Sequence, residues 1–321
     1  MIIKNRMPWL QMLVTFRGST LESTWTRILA ATVLASVVTF VEMQILDDFA
    51  IGLRTFSLTT TPFTLIGVAL GIFLGFRNNV AYDRFWEGRK LWGALVNVSR
   101  SFTRQVCTLI NAPADADLAD QDDVAALQRL LATRTIAYVH SLRHHLRRSD
   151  PFEDLAAYLS DVEIEHLRTQ NNVPIAILQE TGQLIRGAWR QGWIHELHLP
   201  VLEASLTEMT AIQGGCERIK NTPIPFDYNI LIHRIVAFYC FFLCFGIVDT
   251  VKQMTPPVVL LISYAFFGLD AIGDELEDPF GTGPHDLPLT ALSRTIEINV
   301  RQQIGETDVP AMVEPVNGVL L

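Results

Sequence analysis

The sequence predicts an all-α membrane protein with four transmembrane helices per chain and a helical cytoplasmic domain. Three observations predict it. Uncharged stretches approaching bilayer length recur, a polar block separates the first two from the last two, and apolar residues in that block recur at helical spacing without a convincing alternating strand. Of the 321 residues, 49% are hydrophobic and only 18% charged, and mean hydropathy is +0.26, a balance that disfavours an ordinary cytosolic enzyme. The net charge of −9, without a basic block, predicts no nucleic-acid partner. Cys107, Cys216, Cys240 and Cys244 form neither a CxxC nor a disulfide framework.

Residues 1–76 hold an N-terminal segment and the first two spans. The first span rests on the 14 uncharged residues Ile28–Val41, extended by Met43–Leu46. Such a run is short for a bilayer, so a buried core helix is its alternative. No small-residue cleavage pattern surrounds it, which predicts a retained helix rather than a removed signal. The second span rests on 22 uncharged residues, Thr55–Phe76. Lys4, Arg6, Arg17 and Arg27 oppose only Glu22 before the first span, while Asp47 and Asp48 oppose Arg54 after it, so both termini are expected in the cytoplasm. Glu42 is a functional candidate if it lies within the membrane, and otherwise an outer-interface carboxylate near Asp47, which is the favoured reading.

Residues 77–222 carry 16 Lys/Arg and 18 Asp/Glu and read as a cytoplasmic domain between two hairpins. Periodic apolar positions predict helices over Val124–Leu146 and Ile175–Ile185. The helix of the second span is expected to continue unbroken through Arg77–Arg104. Residues 111–123, with Pro113 and five Asp, read as a loop. Ser149, Asp150 and Pro151 mark one helix boundary and Asn171, Asn172 and Pro174 another. Residues 223–270 hold the third and fourth spans, built on Ile235–Val248, with Tyr228–Ile232 before it, and on Gln253–Leu269. Residues 271–321 form a cytoplasmic segment and tail.

The second span carries the most specific pattern. Gly67, Gly71 and Gly75 form a smooth stripe that lets another helix approach closely. One position on, Val68, Ile72 and Phe76 form a parallel ridge of graded bulk. On these residues alone, the plainer reading is a packing face with the ridge toward lipid. The other reading places the ridge around an axis.

Beyond Phe76 runs Arg77, Asn78, Asn79, Val80, Ala81, Tyr82, Asp83, Arg84, Phe85, Trp86, Glu87. The stretch GIFLGFRNNVAYDRFWEGRKLWG, the later GGCERIKNTPIPF (214–226) and ELEDPFGTGPHDLPL (275–289) resemble the bestrophin family, and its bacterial branch more closely. The resemblance covers most of the chain in order, weakest over about residues 111–213. It implies a homopentameric ion channel of the bacterial inner membrane, its single axial pore lined by the second span of each subunit. Val68, Ile72 and Phe76 match the family's neck of three hydrophobic rings, and Leu197, with Ile194 as rival, matches its cytoplasmic aperture. The implied partners are permeant ions, the lipid bilayer and four further copies of the chain, and no cofactor is implied.

Animal bestrophins are anion channels, whereas similar bacterial relatives include cation conductors. The expectation is a preference for monovalent cations such as Na⁺, with a chloride channel as the alternative. From other classes, a secondary transporter would show inverted repeats and broken helices near the midplane, and a membrane-anchored scaffold would show no flux.

Asp270, Asp274, Glu275, Glu277 and Asp278 crowd nine residues, and Asp286 follows. Glu275, Asp278 and Asp286 are candidate calcium ligands. Animal relatives carry consecutive acids after PFG, whereas this chain has Thr282, Gly283, Pro284 and His285. Helix capping and pairing with Arg is therefore the favoured role. No GxxxxGK[ST], GxSxG or HExxH occurs, so no enzyme is expected. His140, His144 and His145 share a helix face that could ligate zinc, but beside Arg143, Arg147 and Arg148 they read as a solvated basic face. His195 and His198 lack the second-ligand spacing of a zinc protease.

Overall fold

The computed structural model describes residues 1, 2, 8, 10, 15, 16, 18–46, 59–113, 118–316 and 318–321. In chain order its helices are α1 (Leu21–Phe40), α2 (Thr60–Leu109), α3 (Leu118–Arg147), α4 (Phe152–Leu155), α5 (Asp161–Arg168), α6 (Val173–Arg190), α7 (Leu199–Asn221), α8 (Phe226–Val251), α9 (Thr255–Glu277) and α10 (Leu289–Gln303). Isolated bridges such as Ile110 with Ile194 are the strand-like pairings among the described residues, so the class is all-α. Lys4, Arg6, Arg17, Asp47, Asp48 and Arg54, on which the expected orientation rests, lie outside the described residues.

The chain divides into two compact units. One, Lys4–Phe85 with Pro223–Asp278, is the apolar unit. Its α1 begins seven residues before the uncharged run, because Leu21 and Thr24 extend the buried face that Ile28, Ala31, Ala35 and Thr39 continue. Ala31 and Ala35 are almost fully buried, and their small side chains allow close approach. A π-helical turn, Val41–Leu46, follows and holds Glu42, half-buried and with a partner.

Among the described residues, three helical stretches are long and apolar enough to cross a bilayer: Leu21–Met43, Thr60–Leu109 and Phe226–Glu277. The third is two helices, because a 3-10 turn at Lys252–Met254 separates α8 from α9. Lys252 takes φ +48, which ends α8, and two prolines fit the first turn of α9, where the ladder needs no donor.

Two core clusters give the helix directions. One gathers Ile28 of α1, Leu70 and Leu74 of α2, Ile232 and Val236 of α8 and Phe267 of α9. The other gathers Ala31 and Ala35, Leu243 and Cys244, Val259, and at its margin Phe63. From the first to the second, residue numbers rise in α1 and α8 and fall in α2 and α9. The four helices therefore alternate in direction.

The other unit is Met1–Ile3, Trp86–Thr222 and Pro279–Leu321. Its α3 is central, buried almost continuously from Leu131 to Arg143, with α6, α7 and α10 packed against it. The loop expected over 111–123 is shorter, since α3 already begins at Leu118. Asp120, Asp122 and Asp123 lie near its N-terminus, where carboxylates favour the helix dipole. Ser160 and Glu163 form a capping box at the start of α5. Asn172 accepts a hydrogen bond from the Ile175 N–H, and Pro174 fits the first turn of α6.

Candidate functional site

Helix α2 has 50 residues, about 75 Å at 1.5 Å per residue, about two and a half times the roughly 30 Å hydrocarbon layer. Within the apolar unit its buried positions are Leu70, Leu74, Arg77 and Ala81, successive positions about one turn apart on one face. At about 100° per residue, the line through Val68, Ile72 and Phe76 lies roughly 170° from the centre of that face. Their exposures of 61%, 54% and 62% follow from that geometry. The ridge points away from the chain's own core.

The glycine stripe flanks the ridge and divides in two. A Cβ on Gly67 would lie 2.5 Å from the Tyr239 hydroxyl, so Gly67 packs against α8. Gly71 and Gly75 have nothing within 4 Å of that position. Below Phe76 the ridge line continues through Asn79 and Asp83, both exposed. Asp83 was not singled out from the sequence, although carrying the helical period one turn past Asn79 finds it.

Immediately beside Phe76, Arg77 has a fully buried side chain. Its Nη1 donates to Asp270 Oδ1 at 2.6 Å, and its Nη2 pairs with Asp274. His233 Nδ1 lies 2.6 Å from Asp270 Oδ2. His233, Asp270 and Asp274 are close enough to share an ion, and among the described residues no other such group occurs. The Arg77 guanidinium already fills the cation's place there. This group contains none of Glu275, Asp278 and Asp286. Glu277 accepts from the Ile224 N–H and from Asn229, and Asp286 accepts from the Gly283 N–H at 2.6 Å. An apolar cavity of about 450 Å³ lies beside Phe76, walled by Val80, Pro223, Ile224 and Tyr228.

Of the two aperture candidates, Leu197 is 77% exposed and Ile194 only 3%. Ile194 is bridged to Ile110 and buried in its unit, so Leu197 is the exposed member of the pair. The three histidines of α3 have separate carboxylate partners. His140 is buried between Glu297 and the ring of Tyr158, His144 pairs with Asp154, and His145 pairs with Glu217. His140 is not part of a solvated face: burial holds its pKa below the ordinary value despite the Glu297 hydrogen bond. Burial would by itself raise Glu297, but hydrogen bonds from His140 and Tyr158 and the charge of Arg294 outweigh it and bring the carboxyl down to about 2.

Residues 1–302 match the family model of the Bacterial/Fungal Bestrophin protein. The chain belongs to the bacterial and fungal bestrophin family. This bestrophin is 39% identical over 306 residues to a voltage-dependent anion channel-forming protein of Ralstonia nicotianae, covering 95% of both chains. It is 37% identical over 315 residues to the voltage-dependent anion channel-forming protein YneE of Escherichia coli K12, covering 98% of each. The crystal structure of a bacterial bestrophin homologue from Klebsiella pneumoniae superposes with a TM-score of 0.79 at 33% identity, over 88% of this chain and 99% of that one. The chain is thus a bestrophin-type channel protein of the membrane, in a channel-forming family and not an enzymatic one.

The family motifs also meet in space. Arg218 pairs with Glu87, and Gly215 lets Leu91 close in, at 3.0 Å from where a Cβ would stand. Phe280 of the PFG turn is fully buried against Gly88.

Proposed function

We propose that five copies of this chain surround one axial pore, that Val68, Ile72 and Phe76 form its hydrophobic neck, and that it passes monovalent ions across the bacterial inner membrane. In this reading both termini and residues 77–222 are cytoplasmic, and Leu197 rings the inner aperture. The observation that carries it is the ridge, apolar, more than half exposed and roughly opposite the face of α2 that packs in the chain. A spanning helix with such a ridge must present it to lipid, to another subunit or to a pore. The match to the family's neck favours the last. A ring of apolar side chains narrow enough to expel water closes a pore to ions without a plug.

Cations are the proposed preference, because Asp83 continues the ridge line about 10 Å below Phe76. Five copies would place a ring of carboxylates at the inner mouth of the neck. The second reading, an anion channel, rests on the names of the relatives from Ralstonia and Escherichia. A transporter is disfavoured because α2 runs without interruption from Thr60 to Leu109. Reversal potentials in asymmetric NaCl across a reconstituted bilayer separate the readings. A cation channel reverses near the sodium equilibrium potential and shifts toward chloride in Asp83→Asn; reversal at the chloride potential in the unaltered protein overturns the cation preference. Mass measurement in detergent should give five chains, and a conducting monomer would reject the pentamer.

A further inference from the structure

We infer that Arg77 is a positioning residue for the inner neck ring, fixing the angle at which Phe76 meets the pore axis; this rests on the neck reading above. Arg77 follows Phe76 directly, turned by about 100° onto the face that packs in the apolar unit. Above it, Leu70 and Leu74 hold α2 by apolar contacts, which have no preferred direction and tolerate rotation and sliding.

The guanidinium is different. Its planar fork spans two carboxylates on α9, and Nη1 also reaches the Asp270 carbonyl at 3.4 Å. Asp270 is 2% exposed, and its second oxygen is engaged by His233 of α8, whose Nε2 lies 3.4 Å from Asp274. One side chain therefore ties α2 directly to α9 and, through the two carboxylates, to His233 of α8 at the level of Phe76. Asn78 adds a hydrogen bond from its side-chain amide to the Leu269 carbonyl at 3.0 Å. Gly273 makes room, since a Cβ there would stand 2.7 Å from Asn78 Oδ1 and 3.2 Å from Arg77 Cζ. Releasing the fork frees α2 to turn about its axis at this level, and the ridge residue nearest the released clamp is the neighbouring Phe76.

The test is a double-mutant cycle read by single-channel recording in planar bilayers, on wild type, Arg77→Gln, Phe76→Ala and the double variant, with the oligomer checked by size-exclusion chromatography. Acting through the ring, Arg77→Gln changes open probability by about threefold or more in the wild-type background, and that change disappears when Phe76 is Ala. Arg77→Lys, which keeps the charge but loses the fork, behaves like Arg77→Gln. The same factor in both backgrounds, or no change in either, overturns the positioning role. If Phe76→Ala alone leaves flux unaltered, the neck reading has failed instead. Should Arg77→Gln not assemble, Asp274→Asn removes half the clamp at a half-exposed carboxylate and must show the same dependence on Phe76; independence there also overturns the proposal.

Discussion

Leu74 and Ile72 stand two positions apart on α2 and have opposite surroundings, one fully buried and the other 54% exposed. Truncating Leu74 to Ala removes packed methyl groups and leaves a cavity, so it should cost about 2–5 kcal/mol and visibly lower the melting temperature in detergent. A second residue-scale prediction concerns acid. Burial lowers the pKa of His140, so between its folded value and the ordinary 6.5 the unfolded chain binds the extra proton and stability falls as pH falls. Glu297, held at about 2 against an ordinary 4.5, contributes stability that is fully present above 4.5 and lost as pH drops toward 2. Both signs agree. The melting temperature should decline from pH 7 to pH 5, and His140→Gln should flatten that interval while leaving the steeper loss below pH 4.5. A profile that rises toward pH 5 would contradict the neutral, buried His140.

At the scale of elements, the glycine stripe divides into Gly67, packed within the chain, and Gly71 and Gly75, which meet nothing in it. Gly67→Ala forces a methyl onto Tyr239 and should destabilise by about 1–3 kcal/mol. Gly71→Ala meets nothing in the chain, and by helix propensity alone it should be neutral or stabilising by up to about 1 kcal/mol. If Gly71 instead lies against a neighbouring subunit, the same change weakens the oligomer while the isolated chain is unaffected. Size-exclusion chromatography across a detergent series distinguishes these outcomes. Most elements are legible in the sequence because apolar runs and boundary residues such as Pro151 and Asn172 act locally. The edges were less so. The seven residues before Ile28 carry Arg27 and Glu22 and break the uncharged run, although Leu21 and Thr24 lie on the buried face. The acidic start of α3 resembles a loop by composition, although a helix N-terminus favours those charges.

For the whole molecule, what could be read depended on whether a residue's partners were near in sequence. The ridge of Val68, Ile72 and Phe76 is a period within one helix, and the family motifs are contiguous strings, so both stood out. The joint of Arg77, His233, Asp270 and Asp274 joins residues up to 197 positions apart, and no local pattern marks His233. The difference in burial between Leu197 and its rival Ile194 is not local, since Ile194 is bridged to Ile110, contributed by another part of the chain. The most direct test of an axial neck is Ile72→Ala, recorded for single-channel current and for thermal stability of the same purified oligomer. With Ile72 on the axis, five truncated side chains face water rather than a packed neighbour, so conductance or open probability rises while assembly and melting temperature stay nearly unchanged. Loss of about 2–5 kcal/mol of stability with unaltered currents would place Ile72 in a packing interface and contradict the neck.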